Sequence, residues 1–89
     1  AVNDPAFMEK ARQILRDYSS AHLPTKVLNG TLPNYQVVNI EGNQWGAESP
    51  NLIQVIDAHY DTYGISPGAD DNGSGVTGVM EAMKVLSKF

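Results

Sequence analysis

Cysteine is absent from the 89 residues, which excludes disulfides, thiolate catalysis and every cysteine-based zinc motif. That absence is neutral about compartment. Cations are scarce: six Lys and Arg stand against ten Asp and Glu, for a formal charge of −4 and a pI near 4.8. An acidic balance with scattered cations argues against nucleic acid and anionic membrane as partners. Apolar residues make up 42% of the chain, but no run of them approaches the roughly 20 residues of a membrane helix. The start, Ala1-Val2-Asn3-Asp4-Pro5, has neither a basic nor an apolar region, so no signal peptide is expected in this chain. A mature form after cleavage would look the same, and the compartment stays open, export included. The length allows one domain at most. A chain this short buries only about 60–65% of the surface its unfolded form exposes, so its core is thin.

Residues 4–19 carry the pattern of an amphipathic helix, with Asp4 as N-cap and Pro5 in the first helical position. Phe7, Met8, Ala11, Ile14, Leu15 and Tyr18 fall on one face of a 3.6-residue period, and Ser19-Ser20 and Pro24 end it. Residues 35–41 and 52–58 are two strands, joined through 42–50 as a hairpin with a floppy tip, where Trp45 is expected as a packed or partly exposed anchor. The second strand is almost continuously apolar, as suits a strand covered on both faces. From Gly64 to Gly75 the chain is loop. Val76, Val79, Met80, Met83 and Leu86 then recur at helical spacing, with Lys84 and Lys88 near the end where the helix dipole favours cations. The fold class is α/β: helix, strand hairpin, helix. Two helices cannot sandwich the 52–58 strand, so the chain reads as the opening part of a larger sheet.

The informative polar residues lie between His59 and Asp71. Period-two geometry puts His59 and Asp61 on one face at the C-terminal end of the apolar strand, the edge where open α/β sheets bind ligands. A histidine there ligates a metal through one ring nitrogen while a carboxylate orients it; the plainer reading is a strand-end histidine hydrogen-bonded to a carboxylate. Asp70-Asp71-Asn72, flanked by glycines, opens directly onto a helix. Crowded carboxylates call for a cation, but a capped, glycine-rich turn accounts for the same residues. A calcium loop is a further alternative, since Asp70, Asn72, Ser74 and Glu81 match the oxygen spacing of an EF-hand. Gly64, Pro67 and Gly68 forbid its incoming helix, and Thr77 stands where an apolar residue is usual. Phosphate binding fails for want of a lysine after the glycines. A Ser74-His59-Asp61 triad lacks the strained turn after a strand. Asn29-Gly30-Thr31 and Asn72-Gly73-Ser74 are glycosylation patterns that matter only in a eukaryotic secretory route.

Together, Ala58-His59-Tyr60-Asp61 and Ser66-Pro67-Gly68-Ala69-Asp70-Asp71-Asn72-Gly73-Ser74-Gly75-Val76 resemble the zinc exopeptidase family of bacterial leucyl aminopeptidase and aminopeptidase Y, over roughly residues 35–89. The resemblance implies the N-terminal part of a three-layer α/β/α catalytic domain, with residues 1–89 as a single partial domain. It also implies a two-zinc site in which His59 ligates one ion, Asp71 bridges both, and Asp61 is the catalytic residue behind His59. The Asp71–Asn72 peptide would be cis. The implied reaction is metal-assisted hydrolysis of an N-terminal peptide bond, with peptide as the substrate of a complete enzyme. The family takes a Glu-Glu pair, another acid and a second histidine from later sequence. Here Glu9, Glu41, Glu48 and Glu81 are all isolated and His22 is the only other histidine, a solvated loop residue by default. The isolated chain is therefore expected to be inactive. A non-catalytic interaction or assembly fragment, self-associating through an exposed sheet edge, is the alternative.

Overall fold

A computed structural model describes residues 5–33 and 35–89. The first helix, α1, runs over Pro5–His22; the predicted cap Asp4 lies outside the described residues. It continues three residues past the expected stop because Ser19 is not a terminator here but a fully buried packing residue. The Thr25 hydroxyl donates to the Leu23 carbonyl at 2.9 Å. Having only one proton, it must accept from Ser19 Oγ across 2.6 Å. The amide of Leu23 then closes the helix on the Ser19 carbonyl.

Strands β1, Thr25–Leu32, and β2, Tyr35–Gly42, form an antiparallel hairpin with Thr25 opposite Gly42 and Leu32 opposite Tyr35. The hairpin expected from the sequence exists, but its partner for 35–42 is 25–32 rather than 52–58. The short link sets 25–32 against one edge of 35–42, and among the described residues the other edge of 35–42 carries no strand. Residues 52–58 form no strand, and among the described residues no backbone–backbone hydrogen bond involves 53–61. Leu52, Ile53, Val55 and Ile56 are between 61% and 86% exposed, so the burial expected on both faces is not met within this chain. Strand propensity specifies an extended backbone, while a ladder also needs a neighbour. Trp45 is exposed rather than a packed anchor.

Helix α2, Ser74–Leu86, begins two residues earlier than its apolar stripe and has Lys84 in its last turn. It meets α1 where the Tyr18 phenol donates to the Met80 carbonyl at 2.9 Å. Gly42 sits at this junction. A Cβ there would lie 2.9 Å from Ser19 Oγ and 3.2 Å from both Leu23 Cδ1 and Met83 Cε. Gly42→Val is therefore expected to destabilise the chain by about 2 kcal/mol, read as a lower urea midpoint at unchanged slope. Among the described residues no apolar side chain is fully buried, and no helix is long and apolar enough to cross a membrane.

Candidate metal site

The segment carrying the histidine is pinned by its middle residue. The Tyr60 phenol donates to the Val38 carbonyl of β2 at 2.6 Å. Alternation along an extended chain sends the flanking residues the other way. His59 Nδ1 stands 3.1 Å from both the carbonyl and Oδ1 of Asp61, and Nε2 stands 3.1 Å from Asp71 Oδ1. All three side chains are exposed.

Asp71 is delivered by a single wide turn over Ala69–Gly73, closed by Gly73 N–H on the Gly68 carbonyl at 2.7 Å. Its peptide to Asn72 is cis, as the resemblance implies. Gly68 has φ +72° and is buried; a Cβ on it would meet Thr62 and the Asp71 carbonyl. The Asn72 side chain accepts from Gly75 N–H at 3.2 Å, so the turn is welded to the start of α2.

The other candidates stay apart. Ser74 Oγ donates to the Asp70 carbonyl at 2.7 Å, which occupies the hydroxyl that a triad would direct at His59. Residues 74–81 are helical, which carries Glu81 about 10 Å along the axis from Ser74. An EF-hand loop keeps its ligands on a non-helical wrap, so the calcium reading falls. His22, expected as a solvated loop residue, is instead the half-buried last residue of α1, its Nδ1 2.8 Å from the Tyr18 carbonyl and its ring packed on Tyr18. Sequence reasoning missed Tyr60 as an anchor; the available signal was a large aromatic in opposite phase to the two polar residues. Arg12 of α1, whose guanidinium lies beside the Tyr60 phenol and Glu9 with its pKa raised in consequence, was also missed.

Among the described residues no group of three or more His, Cys, Asp or Glu is arranged to hold a metal. Two donors, the His59 ring and the Asp71 carboxylate, do converge. Two ligands about 2.0–2.1 Å from a tetrahedral zinc stand roughly 3.3 Å apart, close to the observed 3.1 Å, and a nitrogen–oxygen pair suits that ion.

The hydrogen bond to the Asp61 carbonyl raises the His59 pKa above its ordinary 6.5; desolvation opposes it, and the charge of Asp71 and the Asp61 carboxylate add to the rise. A raised folded-state value means that the cluster's stabilising contribution is full below the ordinary pKa. It is lost as pH climbs through the raised one. In metal-free chain, a proton NMR titration of His59 should show a midpoint above 6.5, lowered by Asp71→Asn.

The model of peptidase family M28 matches residues 37–89. Nicalin from Caenorhabditis elegans is 43% identical over 61 residues, covering 64% of this chain and 11% of that protein. The human BOS complex subunit NCLN is 34% identical over 68 residues, covering 71% of this chain and 12% of that protein, and the chicken protein of the same name is 37% identical over 61 residues, covering 63% and 11%. The chain thus spans about one-ninth of the length of the curated relatives it matches. No solved structure gives a significant match.

Proposed function

Because the chain belongs to peptidase family M28, we propose that it is the part of a peptidase-type α/β domain that carries half of a zinc site. His59 and Asp71 are the ligands, and Asp61 is the residue that positions His59. One observation supports this above the rest: a single imidazole spans the two carboxylates, with Asp61 on Nδ1 and Asp71 at Nε2. An acceptor on Nδ1 fixes the proton there and leaves Nε2 as the donor to a metal. Zinc, when bound, would polarise a peptide carbonyl and make bound water acidic. In a site completed by further ligands, the reaction is hydrolysis of an N-terminal peptide bond.

Two ligands fall short of the three protein ligands a catalytic zinc takes, and no glutamate neighbours His59 to serve as base. Alone, the chain is expected to release nothing from a leucine chromogenic substrate; release abolished by His59→Ala would overturn this. Native mass spectrometry of the chain with zinc tests the ligand assignment. Uptake should disappear in His59→Ala and Asp71→Ala and weaken about 10- to 100-fold in Asp61→Asn. Unchanged uptake in either alanine variant would remove the reading.

The names of the relatives favour a second reading. Those from human and chicken are named as subunits of a complex, and exposed apolar residues 52–56 suit a chain that works by docking to another protein. Zinc-blind chains that bind a protein partner through that segment would decide for this role.

A further inference from the structure

Next to the anchoring Tyr60, α1 and the hairpin enclose an open groove of about 250 Å³. One wall is Arg12 and Arg16, one turn apart on the same helix face. The facing wall is set by the hairpin register. Asn29 stands opposite Val38, and Val27 opposite Ile40, so alternate residues of both strands line the groove with Gln36 beside them. The result is an apolar floor of Val27, Val38 and Ile40 with amides above it.

This groove inverts the chain's charge. Two of only six cations share it, in a chain of net −4. Glu9 partly neutralises Arg12, at 3.3 Å from its terminal nitrogen. Arg16 has no ion-pair partner among the described residues, and Arg12 Nε is buried with no hydrogen-bond partner.

We propose that this groove binds an acidic peptide segment of a protein partner, its carboxylates on Arg12 and Arg16. Guanidinium forks match carboxylates bidentately. Asn29 and Gln36 each offer a donor and an acceptor, which a peptide backbone uses and a small anion does not. The floor takes apolar side chains between the acids; a bare phosphate would leave it wet. Neither His59, Asp61 nor Asp71 lines the groove, and among the described residues Arg16 touches none of the cluster's holders, so the Arg16 variant separates this proposal from the zinc reading.

Fluorescence anisotropy with a labelled peptide of alternating glutamate and leucine tests it on the full chain. Arg16→Gln should weaken binding about tenfold or more, Arg12→Gln likewise, and added salt should weaken it further. His59→Ala should leave it unchanged. Arg16 is exposed, so its substitution removes charge without packing, and an unaltered circular dichroism spectrum would verify this. Equal affinity in Arg16→Gln overturns the proposal. So does equal binding of a lysine–leucine peptide, which would report adhesion to residues 52–56, or full displacement by an equal concentration of inorganic phosphate, which would report a simple anion site.

Discussion

Gly68→Val is expected to destabilise the chain by about 3 kcal/mol and to detach Asp71 from His59. Two effects add at this position. The backbone sits at φ +72°, where a β-branched residue is strained by roughly 1–3 kcal/mol. The first carbon of any side chain would also overlap the Thr62 methyl and press on the Asp71 carbonyl at 2.9 Å. The turn cannot yield locally, because Gly73 N–H closes on the Gly68 carbonyl and Asn72 is tied to Gly75. Gly64 provides the control. Its φ is +57°, yet a Cβ there meets nothing within 4 Å. Gly64→Val should therefore lose only the backbone strain, about 1–2 kcal/mol, and urea unfolding of both variants separates backbone strain from collision. Equal losses at the two sites would show that packing against Thr62 contributes nothing.

Replacing Ile53 and Val55 together by lysine should raise the dissociation constant of any self-association more than a hundredfold. Fully burying such a side chain contributes about 1.5–3 kcal/mol, and a symmetric pairing buries both residues twice. Among the described residues, no backbone–backbone hydrogen bond involves 53–60, the property of a free edge. Sedimentation velocity over a range of concentrations is the measurement. An unaltered chain that remains monomeric at high concentration would refute the expectation, and so would association that survives the double substitution.

Local signals carried α1, β2 and α2 into view from the sequence. A helical apolar stripe needs nothing beyond its own residues to be recognised, and Pro5 marks the start. The end of α1 was less legible because Ser19 has two meanings: a turn former by propensity, and a buried hydroxyl donor once Thr25 folds over it. β1 was hidden by Asn29-Gly30, which reads as turn chemistry, although Pro33-Asn34 between two strand-like runs is the spacing of a hairpin. Residues 52–58 misled in the opposite direction. Their composition states a preference for apolar surroundings, and only a neighbouring strand converts that preference into a ladder.

The site was more legible than the sheet. Period-two spacing paired His59 with Asp61, the family resemblance added Asp71, and the structure has the three within 3.1 Å contacts. Missing from view were the holders. Tyr60 and Gly68 carry no metal-ligating chemistry of their own, so their importance emerges only once Val38 and Thr62 lie beside them.

The tyrosine anchor has a consequence for what changes the chain tolerates. Its phenol and the His59 ring leave neighbouring residues of one extended segment in antiphase, and the bond to Val38 holds that pair from Tyr60 itself. Residues 53–58 hold no ladder, so their length can change without turning the imidazole. The intolerant stretch is 59–61, where one residue inserted between the ring and the phenol would put both on the same side.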